Sequence, residues 1–490
     1  NIDAFVAYEQ YEMNYDLISA QRSVFLSDQI PYLFFGGTQN ELNNGSAGQF
    51  AYRNMFGRIA YNYKEKYLAE FTMRRDESVK FSPDKRVGYF PGVSAGWRMS
   101  EENFIKDRFP FISNLKLRGS WGHSGSDAVG DFQYLATYVL GQGYAFGSQA
   151  QTFPSISPSS VPNPFITWEI ANNSNIGFDG DLWDGLLGFE LDYFVSGRSN
   201  ILAQRNGSVP SYTGLVLPSE NIGKTINKGI EILIRHRNRI GRDFSYDISG
   251  NFTFVRNKIL FRDEAANIPD YQRQAGHSIV SYLLYEANGI FETQDQLDKT
   301  NAKYPGARVG DIIYLDQNAD GKIDSKDKVM VNENPTPQII YGLSIGLHYR
   351  GFSINSLLQG QARAKVMVNP MTRNGNLNIP LWMYDDRWTI DNTDATMPRA
   401  FNNRSETVNE LPSTFWLRNA SFLRLKTLEI SYLIPHSPLA NLGISQLRIY
   451  ANGFNLFTVD KMQGDYDPEM NSSLGVYYPQ TKIYNLGVNL

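Results

Sequence analysis

The 490-residue sequence contains no cysteine. That absence removes disulfides, thiolate nucleophiles and zinc–thiolate centres together. No stretch approaches the roughly 18 consecutive apolar residues that a membrane-crossing helix requires. The net charge is −4 and the sequence pI is near 5.9, so there is no basic surplus to recruit nucleic acid, and none is expected as a partner. With 5 histidines in all, no two are spaced as in HExxH or another metal-binding pair. The chain begins inside "NIDAFVAYEQYEMNY", already strand-like, with neither an initiator methionine nor a signal peptide, which reads as a mature piece or the rear part of something longer. What is plentiful is aromatic: 30 Phe, 29 Tyr and 7 Trp, 13% of the chain. That supply suits β-sheets and the interfacial belts of membrane proteins. Two classes remain, a soluble β protein or a membrane barrel. Alternation hides a barrel's apolarity and makes it hydrophilic on average, as the mean hydropathy of −0.37 is here.

Period two recurs along the chain, and helical periodicity is hard to find. In "RIAYNY", Ile59, Tyr61 and Tyr63 alternate with Arg58, Ala60 and Asn62. In "AEFTMR", Phe71 and Met73 alternate with Glu70, Thr72 and Arg74, and the turn "KEK" joins the two runs. Leu115 and Leu117 oppose Lys116 and Arg118; Phe189, Leu191 and Tyr193 oppose Glu190 and Asp192. The last residues continue the pattern, with Tyr484, Leu486, Val488 and Leu490 on one side.

A β-sandwich also alternates, with its apolar face inward, so the connections decide. Short links at "KEK", "LWDGLLG", "RNRIGRD" and "YRGF" alternate with long segments rich in Gly, Asn, Ser and Pro, at about 14–50, 124–165, 197–223, 259–337, 364–415 and 458–477. Tight turns on one side and long loops on the other describe an all-β, antiparallel transmembrane barrel of the outer membrane, with about fourteen strands. The competing expectation is a secreted, calcium-stabilised β-sandwich that binds glycans.

One motif is chemically explicit. "DQNADGKIDSKD" places Asp316, Asn318 and Asp320 at positions one, three and five, Gly321 at six, the Lys322 carbonyl at seven, Asp324 at nine and Asp327 at twelve. Alternating oxygen donors around a glycine turn are what a hard cation needs, Ca2+ first and Mg2+ not excluded. Asp327 stands where Glu is usual and reaches less far. The flanks "GDIIYL" and "KVMV" are strand-like, so the loop is no helix–loop–helix sensor. A structural role for the 311–330 segment, inside an extracellular loop, is expected.

"WMYDDRWTIDN" gathers Trp382, Tyr384, Asp385, Asp386 and Trp388 in another long loop. Aromatic faces stack on sugar rings and carboxylates accept hydroxyls, which makes these residues candidates for contact with a ligand or a lid. Packing of a long loop on itself is the more ordinary explanation, and Tyr466, Asp467 and Pro468 share that ambiguity. Trp121, Tyr61, Tyr63 and Tyr193 read as lipid-facing. His123 and Ser124 are adjacent strand residues that point to opposite faces, and the serine lies in no GxSxG elbow. No enzyme is expected.

Several stretches, in order, resemble the barrel of SusC-type, RagA-like TonB-dependent transporters of Bacteroidota outer membranes. "RRDESVKFSPDKRVGYFPGVSAGWRMSEENF" carries Phe81, Pro83, Gly88, Phe90, Pro91, Ser94, Ala95, Gly96 and Trp97 in the family's places. "NLKLRGSWGHSG", "NKGIEILI", "GDIIYLDQNADGKID", "NPTPQIIYGLSIGLHYRGF", "DDRWTIDNTDATMPR", "SFLRLKTLEISYLIP" and "LRIYANGFNLFT" follow. The resemblance implies a barrel of about 22 strands, an N-terminal plug, a TonB-binding segment and a SusD-like lipoprotein lid. The plug, the TonB segment and the first strands have no counterpart in residues 1–490, which therefore correspond to the C-terminal part of the barrel. It also implies import of an oligosaccharide or a peptide, contact with outer-membrane lipid, and a dimer of transporter–lipoprotein pairs.

Overall fold

The computed structural model describes residues 1–490 except 148–150, 206, 210, 211, 213–216, 374–378, 402–407, 436–443, 463–465 and 471. Its framework is one antiparallel sheet whose main path has fourteen strands in sequential order. They are β1 (Ile2–Phe25), β2 (Gly36–Tyr63), β3 (Tyr67–Ser78), β4 (Val87–Arg98), β5 (Ile112–Ser126), β6 (Glu169–Leu182) and β7 (Leu187–Gln204). Then come β8 (Ser219–Ile240), β9 (Phe244–Phe261), β10 (Ile339–Tyr349), β11 (Phe352–Ala362), β12 (Leu417–Ile434), β13 (Leu447–Lys461) and β14 (Ile483–Asn489). β1 and β14 lie at the two ends of that path, each paired on one side.

The register turns period two into two chemically distinct faces. Across β3, β4, β5 and β6 the series Phe71, Val93, Trp121, Ser174 lies on one rung, and Tyr67, Trp97, Leu117, Phe178 on another. Leu191, Ile232, Phe252, Tyr341 and Gly360 continue this face through β7 to β11. Tyr61, Tyr63, Trp121 and Tyr193 belong to it and remain exposed. The opposite face is polar and ion-paired. Arg118 bridges Asp179 at 3.1 Å and Asp192 at 2.6 Å, and Arg58 bridges Asp3 and Glu70. A sandwich would bury its apolar face against a second sheet; here that face looks outward along a single meander, which disfavours the glycan-binding sandwich alternative.

At the tight-turn end the outward face becomes aromatic. Tyr61, Tyr63 and Tyr67 stack in series at 6.4 Å, and Phe352 and Tyr432 approach to 4.3 Å. The Tyr67 hydroxyl and the Trp97 indole N–H both donate to Glu102 Oε1, and Lys66 donates to its other oxygen. This is the interfacial belt expected of amphipathic rings.

The connections follow the expected parity, with short turns after Tyr63, Leu182, Ile240 and Tyr349 and long segments at the other end. One expectation needs correcting. Residues 14–50, rich in Asn and Gly, are not a loop: Asn14 to Gln21 pair with Leu42 to Gln49, leaving only a short tip between β1 and β2. Cross-strand pairing overrides the weak strand preference of these residues.

Candidate functional site: the carboxylate loop and the layer beneath it

The 311–330 segment lies between β9 and β10, at the long-loop end of the sheet. Each half of the carboxylate loop is held by backbone N–H groups. Asp316 Oδ2 accepts from Gly321 N at 2.8 Å, Asn318 Oδ1 from Asp320 N at 3.0 Å, and Asp320 Oδ1 from Lys322 N at 3.0 Å. Gly321 has φ +80°, a conformation that L side chains resist. Asp324 and Asp327 form a reciprocal capping box, and Asp327 Oδ1 also accepts from Gln317 N at 3.0 Å. Asn318, Asp320 and Lys322 are exposed, Asp316 and Asp324 half-buried, and Asp327 fully buried.

A neighbouring turn clamps the loop. Gln272 Nε2 donates to the carbonyls of Ser325, Lys326 and Lys328, and the Tyr271 hydroxyl donates to Lys326 at 2.8 Å. Burial raises the Tyr271 pKa, and the negative field of Asp327, Asp316, Asp320 and Asp324 raises it further. The loop is thus a concentrated source of negative potential built only from oxygen donors, the set a hard cation prefers. Among the described residues no group of three or more His, Cys, Asp or Glu side chains is gathered around one ion-sized point. The carboxylates point toward their own backbone, and a carboxylate oxygen holding one N–H keeps a lone pair for a cation.

The loop rests on a hydrophobic core. Ile323, 3% exposed, enters a cluster with Tyr285, Ile290, Ile312, Tyr314 and Trp416, and from the other long loop Met383 and Met397. Trp382 and Trp388 pack against this cluster from its edge, and Trp388 Nε1 donates to the Glu292 carbonyl at 3.1 Å. Tyr384 and Asp385 are exposed and Asp386 half-buried. The five residues therefore do not converge: the two tryptophans lie against the cluster while Tyr384 and Asp385 face outward.

Sequence reasoning missed the polar node under this cluster. Asp311, 0% exposed, pairs with Arg399 at 2.8 Å and accepts from Asn409 Nδ2 at 2.9 Å, while Ile312 N donates to Asn409 Oδ1 at 2.9 Å. The node ties residues almost a hundred positions apart, and nothing in "VGDIIYL" marks its aspartate as buried. Tyr314 donates to the Val408 carbonyl at 2.6 Å, and burial pushes its hydroxyl far above the usual tyrosine range. In the last long loop Tyr466 and Pro468 are buried, and Asp467 meets the fully buried Arg424 at 2.6 Å, with Glu469 on the same guanidinium. His123 packs on Trp121 at 4.8 Å, and Ser124 Oγ accepts from Asn173, so the two do not pair.

Comparison with known proteins places this geometry. The family described as "TonB dependent receptor-like, beta-barrel" matches residues 5–329. TonB-dependent receptor SusC of Bacteroides thetaiotaomicron is 28% identical over 453 residues, covering 89% of this chain and 43% of that protein. TonB-dependent receptor P3 of Formosa agariphila is 27% identical over 466 residues, covering 89% and 45%. The RagAB peptide importer in its closed-closed state superposes with a TM-score of 0.77 at 25% identity, over 99% of this chain and 53% of that one. The chain spans less than half the length of the curated relatives it matches.

Proposed function

The chain belongs to the TonB-dependent receptor-like β-barrel family of the outer membrane, and from that premise we propose that it forms wall and extracellular loops of an active importer. The nutrient is one too large for a porin, a peptide or an oligosaccharide. A SusD-like lipoprotein closes over the outside, and TonB drives release through the plug of the complete receptor. Further strands pair with the free edges of β1 and β14, because no open edge persists in hydrocarbon.

The observation that carries this reading is the packed layer at the long-loop end of the sheet. Two loops from different parts of the chain share one core, which gives a firm platform around the barrel mouth instead of independent floppy segments. Exposed Tyr384 and Asp385 offer an aromatic face and an acceptor to ligand or lid. Deleting the encoding gene should abolish growth on one class, peptides or oligosaccharides, as sole nutrient. Co-purification from native membranes should bring the lipoprotein with the receptor. Normal growth on both classes, with no co-migrating lipoprotein, would end the proposal.

The residues that would hold Ca2+ are Asp316, Asn318, Asp320, Asp324 and Asp327, with the Lys322 carbonyl. The ion would supply positive charge to a carboxylate-dense turn and hold it still. Calorimetry on the full receptor should register Ca2+ uptake that disappears in Asp316→Ala/Asp320→Ala, and the variant's loop should be cut faster by protease. Equal uptake by the variant would refute the assignment.

A further inference from the structure

The outward face of the sheet is apolar from Tyr246 to Phe254 on β9, a run of about 25–30 Å at roughly 3.3 Å per residue. At the roughly 40° tilt of such strands this run rises about 20 Å, and about 25 Å once outward-facing Phe244 is included, which is the height of the apolar band on such barrels. The next outward-facing positions toward the long-loop end are Arg256 and Lys258. Lys228 on β8 pairs directly with Arg256, so two like charges face each other across one rung, which is destabilising without an anion. Arg363, just beyond β11, reaches the same place. The guanidinium carbons of Arg256 and Arg363 lie 6.0 and 5.4 Å from the centroid of the Phe254 ring.

Among the described residues none of Lys228, Arg256, Lys258 and Arg363 forms an ion pair. Two surface grooves meet at Arg256, Asn332 and Gln338, and the carboxylate in their lining, Glu333, is already committed to Lys365 at 2.7 Å. The contrast on β2 and β3 is instructive. There Arg53 and Arg75 occupy the outward face at the corresponding edge, and Glu77 neutralises both, at 2.7 and 3.2 Å.

We propose that Lys228, Arg256, Lys258 and Arg363 form a binding site for the phosphate of lipid A on the outward face of the barrel wall. Two guanidinium groups suit the oxygens of a phosphomonoester, and the ammonium groups add charge without demanding geometry. The outer leaflet of a bacterial outer membrane is built of lipid A, whose glucosamine carries phosphate. Its acyl chains would lie along Ile230, Phe252 and Phe254, directly inward of the cations. Basic residues at a membrane edge gain affinity from anionic headgroups in this way. The inference depends on outer-membrane placement and not on which nutrient is imported.

The test is native mass spectrometry of the full-length receptor, extracted in mild detergent and titrated with monophosphoryl lipid A, dephosphorylated lipid A and inorganic phosphate. Wild type should retain monophosphoryl lipid A. Arg256→Gln/Arg363→Gln should bind it at least about tenfold more weakly. Arg256→Lys/Arg363→Lys should stay closer to wild type, and Arg53→Gln should match it. If the double glutamine variant fails to form a heat-modifiable barrel, Lys228→Gln/Lys258→Gln carries the same comparison. Equal binding of dephosphorylated lipid A, or unchanged binding in both cation-depleted variants, overturns the site. Competition by inorganic phosphate as effective as by lipid A overturns the lipid assignment.

Discussion

Arg399 shows what a single side chain contributes to this molecule. Its guanidinium meets a fully buried carboxylate, Asp311, which also accepts from Asn409 Nδ2 and from the Arg308 backbone N–H. Removing one member of such a pair leaves an uncompensated charge and costs about 3–5 kcal/mol. Arg399→Met should therefore open both long loops, 262–338 and 363–416, to protease while leaving the heat-modifiability of the barrel unchanged. Protection equal to wild type would show that the shared core holds the loops by itself. Glu102 makes a different case at the turn end. Hydrogen bonds from Tyr67, Trp97 and Lys66 lower its pKa from 4.5 to about 2. A depressed carboxylate pKa contributes stability that is complete above the unfolded value and lost as pH falls through the folded one. The wild-type melting midpoint should thus fall between pH 4.5 and about 2 by more than that of Glu102→Gln, as read by heat-modifiability against pH.

At the scale of the strand, alternation decides the consequence of a charge. Ile232 and Leu233 are neighbours on β8, yet Ile232 pairs with Leu191 and Phe252 on the apolar face while Leu233 pairs with Glu190 and Asn251 on the polar one. Ile232→Arg should cost about 2–4 kcal/mol of barrel stability, as a cation does near the middle of the hydrocarbon band. Leu233→Arg should cost much less, because it lands beside Glu190 among polar side chains. Equal losses in urea unfolding from vesicles would contradict the assignment of faces. Most strands were legible from this same alternation, and "KEK", "RNRIGRD" and "YRGF" marked their turns. The hairpin through residues 14–50 was not, because its Asn, Gly and Ser residues carry loop propensity, and its order comes from partners about thirty residues away.

For the molecule as a whole, the decisive feature is a fourteen-strand path with two open edges. Each edge is a row of backbone donors and acceptors that hydrocarbon cannot satisfy. Residues 1–490 produced by themselves should not give a heat-modifiable barrel in vesicles. Co-expression with the remainder of a complete receptor should restore one, and a folded, monodisperse barrel from these residues alone would show that β1 and β14 close on each other.

The sequence by itself determined the period-two pattern, the order of turns and long loops, and the oxygen-donor spacing of 316–327, because each is written in residues adjacent or nearly adjacent along the chain. Only the tertiary structure decided that Ile323 and Met383 share a core, that Asp311 is buried against Arg399, and that Arg256 and Arg363 flank one phenylalanine. Those juxtapositions join positions roughly sixty to a hundred apart, brought together because the sheet plants both long loops at one end and the loops then pack on each other. No local preference along the chain encodes which distant partner a side chain will meet.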